Sequence, residues 1–71
     1  MNNSTRVFEF LYKNHEDRYN INQISRIVAI SVGSAFKIVK GFEELGYVTT
    51  SKEKNALLYQ INLNQTTRDF Y

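Results

Sequence analysis

The residues best suited to chemistry lie in a continuous segment that carries positive charge and no carboxylate. Residues 18–42 include no Asp or Glu, and their cationic side chains are Arg18, Arg26, Lys37 and Lys40. Within this segment, the stretch SVGSAFKIVK begins with small, neutral side chains and continues with lysines. Such a surface can bind a negatively charged partner, although a run of like charge is also typical of an ordinary solvated face.

Covalent, acid–base and metal chemistry find little support elsewhere in the sequence. We find no Ser-His-Asp arrangement at usable spacing, no glycine-rich phosphate loop and no pair of carboxylates that could share a buried site. His15 has no second His or Cys nearby, so we interpret it as a solvated residue at a helix end. The absence of cysteine excludes thiolate metal sites and disulfides. We expect no enzyme activity, metal, cofactor or small-molecule ligand.

The composition indicates one small domain. Of the 71 residues, 42% are hydrophobic, which is enough for a compact core in a chain of marginal length. The most apolar stretch, residues 24–39, is interrupted by serines, a glycine, an arginine and a lysine, so we do not expect it to span a membrane. The polar N-terminus leads into an amphipathic pattern without a visible signal peptide. These features predict a soluble, cytoplasmic protein.

Two short amphipathic helices are predicted first. One is expected over residues 5–14, with Ser4 or Thr5 as its cap. The next is expected to begin after Asn20, because Gln23 three residues later completes a capping box. The residues expected to face the core are Val7, Phe10 and Leu11 in the first helix and Ile21, Ile24, Ile27 and Val28 in the second.

A third helix and a β-hairpin are predicted next. The helix is expected to begin after the N-cap Ser31 and to stop at Gly46, which adopts a left-handed conformation easily. Strands are expected over residues 47–50 and 56–63, with a polar loop over residues 51–55. The inward face of the third helix is expected to consist of Ala35, Ile38, Val39, Phe42 and Leu45.

The segment NINQISRIVAISVGSAFKIVKGFEELGYV, residues 20–48, resembles a winged helix-turn-helix domain of prokaryotic (bacterial or archaeal) transcription regulators. In this resemblance Ile24 and Ser25 form the apolar-small pair of the first motif helix. Residues 29–31 correspond to the turn, and residues 42–48 correspond to the exit from the second motif helix.

The resemblance implies an α+β, mostly helical fold, with a three-helix helix-turn-helix core followed by a two-stranded β-hairpin wing. This domain is expected to cover residues 1–63, and residues 64–71 are expected to form a tail or to begin a further helix. Two residues depart from the family pattern. Ala29 stands in the turn where glycine is more usual, and Gly41 lies inside the third helix.

The resemblance also implies sequence-specific binding of double-stranded DNA. The third helix, residues 31–45, is expected to enter the major groove, while the wing contacts backbone or the minor groove. Glu53 lies between Lys52 and Lys54, and its negative charge argues against DNA contact by these two lysines. The residues expected to bind DNA are Arg26, Ser31, Val32, Gly33, Ser34, Phe36, Lys37, Lys40, Lys52 and Lys54.

Four of these residues have more than one interpretation. Gly33 either lets DNA approach closely or is tolerated in a frayed first turn. Ser34 either contacts DNA or only caps the helix, and Val32 either touches a thymine methyl or packs into the core. Phe36 can meet thymine methyls, pack in the core or against the second helix, or contact a partner protein.

We expect a homodimer whose half-sites lie about 34 Å apart on DNA, or a larger multimer. Phe8, Tyr12, Phe70 and Tyr71 are the candidate dimer residues. One alternative is a winged-helix protein-interaction module that does not bind DNA, although the acid-free segment argues against it. Another is the DNA-binding domain of a larger effector-carrying protein.

Overall fold

The computed structural model describes residues 2–63 as three α-helices followed by a two-stranded antiparallel hairpin. The predicted α+β, mostly helical architecture is confirmed, and its layout matches a helix-turn-helix followed by a wing. The predicted tail, residues 64–71, lies outside the described residues. None of the helices within residues 2–63 is long and apolar enough to cross a membrane. The elements are α1 (Asn3–Lys13), α2 (Ile21–Val28), α3 (Val32–Glu44), β1 (Val48–Glu53) and β2 (Ala56–Ile61).

The first helix begins earlier than predicted, and neither Ser4 nor Thr5 is its cap. Asn2 is the N-cap, because its side-chain oxygen accepts a hydrogen bond from the main-chain N–H of Thr5 at 2.8 Å. At the other end, the side-chain amide of Asn14 donates to the carbonyl of Phe10 at 2.8 Å. Polar side chains thus satisfy main-chain groups at both ends of α1.

The second helix confirms the predicted capping box. The side chain of Asn20 accepts from the N–H of Gln23, and the side chain of Gln23 accepts from the N–H of Asn20, each at 2.8 Å. The predicted apolar stripe is wrong at Ile27, which is 55% exposed. Ser25 is buried instead, and its hydroxyl donates to the carbonyl of Asn22 at 3.1 Å, so its polar atom is paired. The buried face of α2 therefore turns toward Ser25.

The turn between α2 and α3 places Ala29 in the left-handed conformation, with φ 64° and ψ 52°. The N–H of Ile30 donates to the carbonyl of Ser25 at 3.0 Å, which closes the last turn of α2. Ser31 then caps α3 as predicted, by accepting from the N–H of Ser34 at 3.1 Å. Since left-handed residues are usually glycine, the methyl group of Ala29 is sterically disfavoured there.

The third helix packs on the core through most of its predicted inward face. The prediction is wrong at Leu45, which is 65% exposed because it caps the helix beyond the turns that contact the core. Gly46 confirms the predicted stop, with φ 83° and with the N–H of Tyr47 donating to the carbonyl of Phe42 at 2.9 Å. The residues that are buried or half-buried in the core are Ala35, Ile38, Val39 and Phe42.

The hairpin has a longer first strand and a shorter loop than predicted. The expected loop over residues 51–55 is wrong, because β1 continues to Glu53 and the turn contains only Lys54 and Asn55. β2 ends at Ile61. The polar end of β1 pairs with apolar residues of β2. A segment whose own composition is typical of a loop therefore forms a strand because of the strand it pairs with. These pairs are Ser51–Leu58, Lys52–Leu57 and Glu53–Ala56.

The aromatic residues of α1 are largely absorbed by the core. Phe8 is 3% exposed, and its ring lies 5.6 Å from that of Phe42. Tyr12 is half-buried and stacks on Phe8 at 6.1 Å. The prediction that Phe8 lies on a dimer surface is therefore wrong, and the candidates Phe70 and Tyr71 lie outside the described residues.

A short extended segment, which the sequence pattern does not predict, borders the hairpin. Tyr19 exchanges two main-chain hydrogen bonds with Tyr59 of β2, at 2.9 and 2.8 Å. These bonds hold the loop between α1 and α2 beside the sheet. Arg18 is consequently close to the hairpin in space, although it is far from the hairpin in sequence.

Candidate nucleic-acid interface

The exposed front of α3 carries small and apolar side chains followed by a lysine. Val32, Gly33, Phe36 and Lys37 are all exposed, whereas Ala35 is buried on the opposite side. Because Phe36 is 48% exposed, its interpretation as a core residue is wrong. The first turn of α3 contains no acidic residue that would repel an anion at the helix N-terminus.

The two serines at the start of α3 are engaged with each other. The N–H of Ser34 donates to the hydroxyl oxygen of Ser31, and the two hydroxyl oxygens lie 2.9 Å apart. Both serines therefore serve the helix cap. One hydroxyl hydrogen of the pair has no acceptor among the described residues, so it can still donate to a phosphate oxygen.

The cations in residues 2–63 fall into two groups. Some already have a protein partner; Arg6, for example, donates to the main-chain carbonyl of Val28. The ion-paired cations are Lys13, 3.7 Å from Glu9, Arg18, 2.7 Å from Glu53, and Lys40, 2.8 Å from Glu43. The exposed cations with no ion pair or hydrogen bond to another described residue are Arg26, Lys37, Lys52 and Lys54. All four are residues predicted to bind DNA.

Lys40 differs from the other predicted DNA-binding lysines because Glu43 holds it. Lys40 Nζ donates to Glu43 Oε1 at 2.8 Å, and the hydroxyl of Thr50 donates to Glu43 Oε2. The hydrogen bond to Glu43, and then its charge, raise the pKa of Lys40 above the ordinary lysine value. The hydrogen bonds from Lys40 and Thr50 lower the pKa of Glu43. Both groups are consequently charged at neutral pH.

The charged residues at the end of β1 are divided between the two faces of the hairpin. Since side chains alternate along a strand, Thr50 and Lys52 share the face that packs on the core, and Glu53 lies on the other face. Arg18 pairs with Glu53 there, with Nη2 2.7 Å from Oε2. The carboxylate between the two lysines is thus bound to Arg18 and lies on the opposite face from Lys52.

Glu43 and Thr50 take part in this surface although the sequence pattern does not single them out, and Arg18 belongs to the basic segment but is not among the residues predicted to bind DNA. The i, i+3 spacing of Lys40 and Glu43 on a helix is a signal for their ion pair. No comparable signal exists for Arg18, whose Nη1 lies 3.4 Å from the hydroxyl of Ser51, 33 positions away. That contact depends on tertiary structure.

An open groove of about 410 Å³ lies between the start of α2, α3 and the hairpin turn. Phe36 and Leu57 contribute its exposed apolar side chains, and Asn55 brings the turn to its edge. The structure therefore brings the front of α3 together with the hairpin end that carries Lys54. Arg26, in the last turn of α2, does not line this groove.

The remaining chemical candidate, His15, is half-buried rather than solvated. Its main-chain carbonyl accepts a hydrogen bond from the side chain of Gln60 at 2.9 Å. Within the described part of the chain, no group of three His, Cys, Asp or Glu residues is arranged to hold a metal ion. No protein-family model matches this chain, and no curated protein matches it either.

Proposed function

We propose that this chain is a small transcription regulator of the winged helix-turn-helix type, which binds double-stranded DNA in the cytoplasm. α3 enters the major groove, and the β-hairpin is the wing that contacts adjacent backbone or the minor groove. The observation that supports this most strongly is the division of the cations. Apart from Lys40, the cations predicted to bind DNA are exposed and have no ion pair within residues 2–63.

The free cations contact phosphates. The DNA backbone on either side of the major groove is neutralised by Lys37 of α3 and by Lys52 and Lys54 of the hairpin. Arg26 anchors the end of α2 on the DNA backbone. Such contacts supply affinity and orientation without reading sequence. The main-chain N–H groups at the start of α3 and the Ser31–Ser34 pair add neutral donors to a phosphate, where the helix dipole favours negative charge.

The exposed residues at the start of α3 face base edges. Gly33 has open space where a side chain would stand, so DNA can approach the helix backbone closely. Val32 and Phe36 present exposed apolar surface, which is suited to thymine methyl groups. The position of Phe36 in the groove beside the hairpin turn favours contact with a base next to the phosphates that the wing holds.

The protein acts as a homodimer on a two-fold symmetric site. A single domain of this size makes few base contacts, and two copies one helical turn apart, about 34 Å, combine them. With Phe8 buried, Ile27 on α2 and Leu45 at the end of α3 are large apolar residues that are exposed outside the front of α3 within residues 2–63, and they contribute to such an interface.

Selection of bound sequences from a pool of random duplex DNA tests this function. We expect enrichment of a site with two-fold symmetry and a half-site repeat of about one helical turn. Enrichment of one unrepeated site would contradict the dimer while leaving DNA binding intact. Recovery of no sequence above the starting pool would contradict sequence-specific binding.

A second candidate function is protein binding through the apolar groove that contains Phe36 and Leu57. The specific observation behind it is that both side chains are about half exposed beside an open groove. Phe36→Ala separates the two functions. A DNA-binding Phe36 predicts weaker discrimination between duplexes at one base position, whereas a protein-binding Phe36 predicts unchanged DNA selectivity.

A further inference from the structure

Glu43 uses both of its carboxylate oxygens to connect elements of the proposed DNA surface. One oxygen accepts from the ammonium group of Lys40, one helical turn earlier on α3. The other accepts from the hydroxyl of Thr50, on the core-facing side of β1. A single acidic side chain therefore binds a lysine of α3 and a strand of the hairpin at the same time.

The position of Lys40 makes this contact relevant to DNA. Residues 33, 37 and 40 recur at spacings of four and three, so Gly33, Lys37 and Lys40 lie along one side of α3. All three are exposed. Lys37 has no carboxylate partner among the described residues, whereas Lys40 is held at 2.8 Å by Glu43. Two lysines on one side of the helix are thus in different electrostatic states.

We propose that Glu43 is a positioning residue that withholds Lys40 from DNA phosphates and ties β1 to α3. In the wild-type protein, Lys40 then adds nothing to the number of phosphates neutralised, although it lies among the residues that bind DNA. This inference rests on the proposed DNA-binding function. Its consequence is lower affinity for DNA of any sequence, because phosphate contacts supply most of the non-specific binding.

The hydrogen bond from Thr50 fixes the orientation of the Glu43 carboxylate, which an exposed i, i+3 ion pair does not do by itself. Surface ion pairs between two long side chains are weak, partly because both side chains lose freedom on pairing. Here the hydroxyl of Thr50 donates to the second oxygen of the carboxylate, and Glu43 is half-buried. The carboxylate is therefore already oriented for Lys40, and a phosphate has to displace a positioned partner.

A double-mutant cycle on the full chain tests this inference. Binding of a random-sequence DNA duplex is measured over a series of salt concentrations for the wild type, Glu43→Gln, Lys40→Ala and the double variant. Each added phosphate contact steepens the slope of log affinity against log salt by about 0.9. We expect Glu43→Gln to steepen the slope by this amount and to bind several-fold more tightly. Lys40→Ala should change the slope only in the Glu43→Gln background.

Glu44→Gln is the matched control, because it removes the same charge from the neighbouring exposed position. Glu44 has no ion pair with another described residue. We expect this variant to keep the wild-type slope. Thr50→Val removes the hydroxyl and leaves the Lys40–Glu43 pair, so partial steepening is expected if the hydroxyl orients the carboxylate.

The outcomes distinguish this inference from the proposed function. If the wild type binds DNA and Glu43→Gln has the same slope as Glu44→Gln, the inference is wrong and DNA binding stands. The inference is equally wrong if Lys40→Ala flattens the slope of the wild type. If neither the wild type nor Glu43→Gln binds duplex DNA, the proposed function fails and the inference fails with it.

Discussion

Gly33 and Gly41 lie in the same helix but differ in their surroundings. A methyl group added at either position meets no atom within 4 Å apart from its chain neighbours and the adjacent backbone of its own helix, so the core requires glycine at neither. Glycine also weakens a helix by about 1 kcal/mol relative to alanine. Gly33 is exposed on the proposed DNA-binding front, whereas Gly41 is half-buried beside α1. The proposed DNA binding accounts for Gly33, because DNA would approach the helix backbone closely there, and nothing in the structure explains Gly41.

The two glycines therefore give a matched pair of variants. Gly33→Ala and Gly41→Ala should each raise the free energy of unfolding, by up to about 1 kcal/mol, measured by urea denaturation. Gly33→Ala should also weaken binding to the selected DNA site, because its methyl group occupies the space that DNA needs. Gly41→Ala should leave the affinity unchanged. Equal affinities for both variants would show that DNA does not approach position 33 closely.

The lowered pKa of Glu43 makes the stability of the fold depend on pH, and it sets the sign of that dependence. A carboxyl group whose pKa is lower in the folded state stabilises the fold above its ordinary value of 4.5, and this contribution disappears as pH falls through the lowered pKa. Glu43→Gln should therefore melt at a lower temperature than the wild type at neutral pH. The difference should shrink below pH 4.5. A difference in melting temperature that is constant from pH 7 to pH 2 would contradict the pairing of Glu43 with Lys40 and Thr50.

At the scale of elements, the features predicted correctly are those set by residues close in sequence. The capping box of Asn20 and Gln23, the cap at Ser31 and the stop at Gly46 all depend on contacts within one helical turn. The rotation of α2 and the length of β1 depend on partners far along the chain. The helical spacing of apolar residues in α2 therefore predicts that Ile27 is buried, and this prediction is wrong.

The turn between α2 and α3 gives a prediction that is independent of function. Ala29 has φ 64°, where an L side chain costs about 1 kcal/mol or more, and Ala29→Gly should therefore stabilise the protein. Part of this gain is offset by the greater freedom of glycine in the unfolded chain. Gly46→Ala is the opposite test, because Gly46 has φ 83°, and it should destabilise by a similar amount. Both are measured by urea denaturation, and destabilisation by Ala29→Gly would contradict the left-handed turn.

At the scale of the whole molecule, a formal net charge of +2 hides a division of charge. The basic, acid-free segment and the wing lysines were predictable from composition along the chain. The ion pair of Lys40 with Glu43 has a signal in its i, i+3 spacing, but the hydrogen bond from Thr50 that also holds Glu43 has none, since Thr50 lies on another element. The same holds for the neutralisation of Glu53 by Arg18, which crosses from the α1–α2 loop to the hairpin.

The salt dependence of DNA binding tests the central proposal most directly, with Lys37→Ala compared with Lys13→Ala. Each variant loses one lysine, but Lys37 is unpaired among the described residues, whereas Lys13 is paired with Glu9 on α1 at 3.7 Å. We predict a linear fall of log affinity with log salt for the wild type. Its slope should be flatter by about 0.9 in Lys37→Ala and unchanged in Lys13→Ala. Identical slopes for the three proteins would contradict the proposal that α3 presents Lys37 to DNA phosphates.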